Sequence, residues 1–348
     1  MAQELHKLPE ALLPWYDSHK RDLPWRKDKA AYHIWLSEIM LQQTRVEAVK
    51  GYYARFLEAL PTIEALANAQ EEQLLKLWEG LGYYSRVRNL HKAAQVICDQ
   101  YAGHFPREYA QVLALPGIGE YTAGAICSIA FGQKTPAVDG NVLRVYARLM
   151  ADEAPIDSPA FKKKAQAALA EIYPEKAGDF TQALMELGAT LCGPNRAPDC
   201  EKCPCKGFCR GFATGVAEKL PVKMPKKGRR IEEKTVLVLS CEGHYALVKR
   251  PKTGLLAGLW QFPEMPGILE LEQVLEGLQG VKAVFRQVEK NHIFTHIEWK
   301  MRGFYLEMWN KSDLFQWFTP DQIETNAALP TAYRQFWEAM DADSISRR

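Results

Sequence analysis

Apolar positions recur at three- and four-residue spacing through the first two hundred residues, with Ala, Leu, Glu and Lys filling the positions between. That period predicts helices, among them 32–48, 63–69 and 73–78. Short breaks at Leu60-Pro61-Thr62 and Leu115-Pro116-Gly117 punctuate them. Past residue 230 the texture changes. TVLVLSC (235–241) and YALVK (245–249) read as strands joined by a turn at 242–244, with further strands over 281–289 and 298–307 and a helix over 269–278. The pattern divides the chain into a mostly α region (1–215), a linker (216–231) and an α+β domain (232–348). Prolines and like charges in KLPVKMPKKGRR (219–230) mark the linker as unpacked. There is no internal repeat and no low-complexity tract.

Composition adds limits. A chain of 348 residues suits two domains, and 47% hydrophobic with 25% charged residues excludes wholesale disorder. No apolar run approaches the roughly 20 residues of a membrane span. The N-terminus lacks the apolar h-region of a signal peptide, which points to a soluble cytoplasmic protein. The net charge of +2 is a sum: 25 basic and 25 acidic residues in 1–215, six and one in 216–231, 13 and 16 in 232–348. A binder working by bulk charge would look different. Five of the eight cysteines (192, 200, 203, 205 and 209) fall within 18 residues, which argues for a metal site rather than a disulfide framework.

Three stretches carry chemistry. In LPGIGEYTAGAI (115–126), Gly117 and Gly119 allow a tight turn between two helices, and free N–H groups at the second helix suit a DNA phosphate. The same glycines would also serve an ordinary helical connection. In VDGNV (138–142), Asp139 reads alone as a turn or N-cap residue. In WLSEIMLQQTR (35–45), the apolar pairs Trp35/Ile39 and Leu36/Met40 leave Glu38 and Gln42 together on another face, where a glutamate is ordinarily solvated. The spacing C-x7-C-x2-C-x5-C of Cys192, Cys200, Cys203 and Cys209 suits zinc or an iron–sulfur cluster equally.

The hairpin with its following aspartate resembles the endonuclease III superfamily of helix-hairpin-helix DNA glycosylases. SEIMLQQT (37–44), GLGYYSR (80–86), RNLHK (88–92) and the cysteine loop narrow the resemblance to the MutY-type adenine DNA glycosylases, from about Leu23 to Cys209 and more loosely beyond. The resemblance implies a six-helix barrel with helix-hairpin-helix, an iron–sulfur cluster domain, and a Nudix-like C-terminal domain. It implies excision of adenine from duplex DNA containing A:8-oxoguanine or A:G mispairs, by a monomer in the bacterial cytoplasm, bound to the nucleoid through DNA. Glu38 would protonate the adenine and then take up the proton of the attacking water, a kind of help typically worth about 10²–10⁴-fold. Asp139 would stabilise the oxocarbenium-like sugar, and Asn141 would position water or Glu38.

Tyr121 stands where relatives that also cleave the strand carry a lysine able to form a Schiff base, so the resemblance implies hydrolysis alone. Gln43 and Tyr83 match wedge residues that fill the stack when a base is flipped, with Thr44 and Leu81 in the same motifs. Trp25, Arg26 and Gln182 match residues around the flipped adenine. Cys192, Cys200, Cys203 and Cys209 would hold a [4Fe–4S] cluster, with one residue more between the first two than the family's C-x6-C, and Cys205 surplus. Cations at 196, 202, 206 and 210 would make the loop a phosphate-binding surface. Cys98, Cys127 and Cys241 read as core.

The C-terminal domain lacks the Arg-Glu-x-x-Glu-Glu run of a Nudix hydrolase. Its Phe294-Thr295-His296, with His292 nearby, matches the family's Phe-Ser-His loop for reading 8-oxoguanine. The basic linker offers a place for a repair protein to dock. The competing readings are a bifunctional endonuclease III-type glycosylase/lyase and a non-catalytic iron–sulfur DNA-binding protein.

Overall fold

The computed structural model describes residues 2–194, 196–225 and 228–344. Asn195 of the expected cluster loop, Lys226 and Lys227 of the expected linker, and the last four residues of the expected C-terminal domain lie outside the described residues. The chain forms two compact units, one from Met1–Asn68 and Asn89–Lys226, the other from Ala69–Arg88 and Lys227–Arg348.

The first unit is helical. Its helix Ala177–Thr190 packs against Leu8–His19, Glu120–Phe131 and Gly140–Met150, and Ala31–Leu41 packs against Glu120–Phe131. Leu8, Leu12, Val142, Phe161, Phe180 and Leu184 are all but inaccessible in this core. Local signals set the helix ends. Ser158 accepts from the Phe161 N–H ahead of Pro159, and Gly132 (φ 70°) closes Glu120–Phe131 with a left-handed residue. Gly124 allows the close crossing between that helix and the segment leading to Asp139, because an added Cβ would collide with the Pro136 carbonyl.

Two expectations need correction here. The helix expected over 32–48 is two helices, Ala31–Leu41 and Val46–Ala59, separated by Gln42–Arg45. The apolar period runs on through Val46 and Val49 and so hides the break. Gln43 adopts φ 56°, a conformation a non-glycine residue holds only when its surroundings enforce it. The expected linker is also anchored over 217–224, although most of its described residues are exposed. Ala217 and Leu220 are buried. Arg148 Nε donates to the Leu220 carbonyl at 2.9 Å, the Ile156 N–H to that of Val222 at 3.0 Å, and the Met224 N–H to the Asp157 carboxylate at 3.1 Å. Lys219 and Lys223 are exposed while Leu220 between them is buried, so the like charges do not prevent docking.

The second unit is built on a seven-stranded sheet: β1 (Arg230–Cys241), β2 (His244–Lys249), β3 (Trp260–Gln261), β4 (Glu264–Pro266), β5 (Val281–Ile293), β6 (Ile297–Met308) and β7 (Gln316–Phe318). The order is β3-β2-β1-β6-β5, with β1 and β6 parallel; β4 pairs with β1 and β7 with β2. Arg230 and Ile231, expected in the linker, already pair with Ile297 and Glu298.

On β1, Val236 and Val238 enter one core with Trp299, Tyr333 and Phe336, while Leu237, Leu239 and Cys241 enter another with Phe304 and Leu306. A strand buried on both faces reads as a continuous apolar run rather than an alternating one, which accounts for TVLVLSC. The helix Pro320–Asn326 supplies Ile323 to the first core.

Residues 69–88 belong to this unit although they lie far upstream of it. Lys76 Nζ donates to the carbonyls of Ile323 and Ala327 at 3.2 and 3.3 Å. No helix among the described residues is long and apolar enough to cross a membrane.

Candidate active site

A cleft of about 1310 Å³ opens in the helical unit, and Glu38, Tyr121, Asp139 and Asn141 all line it. Glu38 projects from Ala31–Leu41, a helix buried on nearly every side, and is itself only 5% exposed. The expectation of a solvated polar face therefore fails for Glu38. The Tyr121 hydroxyl donates to Glu38 Oε2. Burial pushes the Glu38 carboxyl up to about 7; the Asp139 charge adds to this, while the Tyr121 hydrogen bond and Arg26 oppose it. Burial also holds the Tyr121 phenol well above its ordinary value, so it stays a donor.

Asp139 is the N-cap of Gly140–Met150. Its Oδ1 accepts from the Val142 N–H at 2.8 Å and its Oδ2 from Asn141 Nδ2 at 2.7 Å. Burial raises its carboxyl from the ordinary value, against the pull of these two bonds and Arg144. Arg144 then fixes Asn141, donating to its Oδ1 at 2.9 Å and to the Gly188 carbonyl at 2.6 Å. The two carboxylates thus sit in different environments, one dry and the other hydrogen-bonded at a helix N-terminus, the arrangement that separates an acid from an anion.

Trp25, Arg26, Gln43, Thr44, Gly119 and Gln182 line the same cleft. Trp25 lies on the turn Pro24–Arg26, edge-on to Tyr53. Gln42 reaches Thr122 Oγ1 at 3.4 Å. Gly117 does not line the cleft: at φ 76° its missing Cβ makes room for Asn89, whose Cβ would lie 2.5 Å from an added one. Gly119 is extended, and an added Cβ there would meet nothing within 4 Å, so packing does not require glycine. That open backbone caps the helix Glu120–Phe131 and can be approached from outside.

Glu186, which lines the cleft with Arg21, was not singled out from the sequence. Glu186 is fully buried and held by Arg21, through Nε at 2.5 Å and Nη2 at 3.0 Å, and by Arg26 Nη2 at 2.8 Å. Burial raises its carboxyl, but these two guanidinium groups outweigh it and hold it below the ordinary value. The available signal was its place one turn beyond Gln182 on the helix Ala177–Thr190.

The expected site residues Leu81, Tyr83, His292, Phe294, Thr295 and His296 lie in the second unit. Tyr83, at φ 48° and 47% exposed, places its hydroxyl 2.8 Å from Thr295 Oγ1, on the turn between β5 and β6. Phe294 packs edge-on against His292 and Trp299, with ring centroids at 4.5 and 4.8 Å. Burial lowers the His292 imidazole from its ordinary value. Leu81 is buried and His296 exposed.

Cys192, Cys200, Cys203 and Cys209 line one small cavity walled by Leu149, Leu187 and Leu191. Cys205, expected to be a bystander, is buried and faces the same cavity. Arg148 Nη1 donates to Cys192 Sγ at 3.2 Å, placing a positive charge where a thiolate would be held. Among the described residues, no three His, Cys, Asp or Glu side chains gather as a single-ion site. Four thiols around an apolar hollow with an adjacent guanidinium fit a thiolate-held group that is anionic overall. The loop is less cationic than expected, because Lys202 pairs with Asp199 at 3.0 Å and Lys206 with Glu201.

The fold and site define a helix-hairpin-helix protein of base excision DNA repair. Residues 36–174 match the HhH-GPD superfamily of base excision DNA repair proteins, and residues 235–339 match the NUDIX domain. The adenine DNA glycosylase of Rattus norvegicus is 36% identical, the match covering 95% of this chain and 77% of the relative. That of Arabidopsis thaliana is 41% identical over 75% of this chain, which spans about half (48%) of that relative's length. A solved thermostable thymine-DNA glycosylase is 28% identical with a TM-score of 0.55, covering 61% of this chain and 98% of its own. The chain belongs to the adenine DNA glycosylase family of base excision repair enzymes.

Proposed function

We propose that this enzyme hydrolyses the N-glycosidic bond of adenine paired with 8-oxoguanine or guanine in duplex DNA, without cleaving the strand. The observation that carries the reading is the buried Glu38 carboxyl, raised to about 7, in one cleft with the hydrogen-bonded Asp139 and with Tyr121 as its donor.

At neutral pH a large fraction of Glu38 is protonated and can deliver its proton to the adenine ring, turning it into a neutral leaving group. The bond between the base nitrogen and the sugar carbon then breaks, its electron pair leaving with the base. Asp139 stays anionic and faces the cationic sugar that results. Water adds to that carbon and gives its proton back to Glu38. Tyr121 has no amine, so no Schiff base forms with the opened sugar.

Reaching Glu38 requires the adenine to leave the stack, at a cost of a few kcal/mol. Gln43 and Tyr83 are wedges suited to offset that cost, both already in left-handed backbone and so presented outward. Trp25, Arg26 and Gln182 surround the extruded base. Thr295 reads the opposite strand through its hydroxyl. Cys192, Cys200, Cys203 and Cys209 would hold a [4Fe–4S] cluster, which when bound pins the loop beside Arg148 and supplies structure rather than electrons.

The test is a duplex with a single A:8-oxoguanine pair, analysed with and without alkali. Strand breakage only after alkali is expected. Breakage without alkali would show a lyase, and no base release would show a binding protein.

A further inference from the structure

The turn that presents Tyr83 is fastened at both ends to the unit that carries Thr295. Upstream, Lys76 and Glu79 pair at 2.6 Å, both largely buried. Lys76 also donates to the Ile323 and Ala327 carbonyls, while the other carboxylate oxygen of Glu79 accepts the Leu329 N–H at 2.9 Å. Ile323, Ala327 and Leu329 are fully buried core residues of the sheet domain.

Within the turn, Trp78 Nε1 donates to the Gly82 carbonyl at 3.1 Å. Arg86 lies over the rings of Trp78 and Tyr83, and its Nη2 donates to the Leu81 and Gly82 carbonyls, both at 3.0 Å. Downstream, Arg88 binds Glu71 at 2.7 Å and the Ala257 carbonyl at 2.5 Å.

We infer that Glu79 is a positioning residue for recognition of the strand opposite the excised base: it locks the Tyr83 turn to the body holding the Phe294–His296 loop, so that Tyr83 and Thr295 meet DNA as one preassembled pair. The inference rests on the functional reading above. The physical argument is one of orphaned groups. Removing the Glu79 carboxylate leaves the buried Leu329 N–H without its acceptor and takes an ion-pair partner from Lys76 and from Arg334, whose Nη1 lies 3.7 Å away. The turn would then lose its upstream anchor, and Tyr83 would have to find Thr295 at each encounter with DNA, an ordering cost moved into the binding step. Neither Glu79 nor Lys76 lines the cleft of Glu38 and Asp139, so the chemistry itself should not change.

The experiment measures affinity of the full-length protein, with its metal content intact, for duplexes carrying 8-oxoguanine or guanine opposite an uncleavable 2′-fluoro adenosine. Glu79→Ala is expected to weaken the 8-oxoguanine duplex about tenfold and the guanine duplex less than about twofold. In a Tyr83→Ala background Glu79→Ala should add nothing, because the residue acts through Tyr83. Glu79→Gln keeps an acceptor for the Leu329 N–H and should recover most of the loss. Equal losses on both duplexes, an undiminished loss in the Tyr83→Ala background, or no loss at all would overturn the inference. Equal binding of both duplexes by the unmodified protein would likewise overturn the inference, whereas no adenine release by the unmodified protein from a cleavable A:8-oxoguanine duplex would overturn the functional reading beneath it, before any variant is compared.

Discussion

The Tyr83 hydroxyl and Thr295 Oγ1 lie 2.8 Å apart, joining the residue proposed as a wedge to the turn proposed to read the opposite strand. One hydrogen bond between exposed hydroxyls is worth about 0.5–1.5 kcal/mol, or roughly two- to tenfold in affinity. Tyr83→Phe and Thr295→Ala should each lower affinity for the 8-oxoguanine duplex within that range. The double variant should do no worse than the poorer single one, since both lose the same bond. Thr295→Ser should bind like the unmodified protein. Additive losses in an equilibrium titration would show that the two hydroxyls act separately.

In the proposed mechanism the raised Glu38 carboxyl should set the pH dependence of excision. Single-turnover rates should be flat below about 7 and fall about tenfold per pH unit well above it, as the acid is lost. Protonation of Asp139 should end the plateau on the acid side, at a pH above the ordinary aspartate value because burial raises that group. A rate rising through pH 7 would assign Glu38 the opposite protonation state.

The same shift appears in stability. The folded state favours the protonated carboxyl, so Glu38's contribution is fully present below about 4.5 and is lost as pH rises through about 7. Glu38→Gln should therefore stabilise the protein at pH 8, by roughly 2–4 kcal/mol, and change little at pH 4. Thermal unfolding at the two pH values checks this.

Asp139 caps a helix and, in the proposed mechanism, also carries the charge that faces the sugar; Asn separates the two roles. Asn caps a helix about as well as Asp, so Asp139→Asn should shift the melting temperature little while abolishing detectable excision. Asp139→Ala should also cost about 1 kcal/mol of stability. An active Asp139→Asn enzyme would mean that the negative charge is not needed.

The cysteine loop predicts a brown protein with broad visible absorbance and iron at the level of a cluster. Replacing Cys203 by Ser should remove the colour, while Cys205→Ser should keep it. A colourless protein containing zinc would refute the iron–sulfur assignment.

Much of the site was legible because its residues sit in short runs whose spacing carries the meaning. Gly117 and Gly119 mark a turn, Asp139 a helix start, and four cysteines a loop that gathers its thiols on one cavity. What escaped depends on distant parts of the chain. The Glu38 carboxyl looks solvated from its helix alone, and packing of that helix against Glu120–Phe131 and other distant elements makes it dry. Glu186 gains its meaning from Arg21, 165 positions away. Residues 69–88 read as part of a helical region, yet their anchors are Ile323, Ala327 and Leu329. The segment 216–225 looked like a free linker because its charges are local, while its partners Arg148, Ile156 and Asp157 are not.

The most direct measurement is single-turnover adenine release from an A:8-oxoguanine duplex by the unmodified enzyme and by Glu38→Gln, at saturating protein. Glutamine keeps the shape and can still accept the Tyr121 hydrogen bond but cannot supply a proton. The account predicts unchanged duplex affinity with a rate at least about 10²-fold lower. Release by Glu38→Gln within a few-fold of the unmodified enzyme would remove Glu38 from the mechanism.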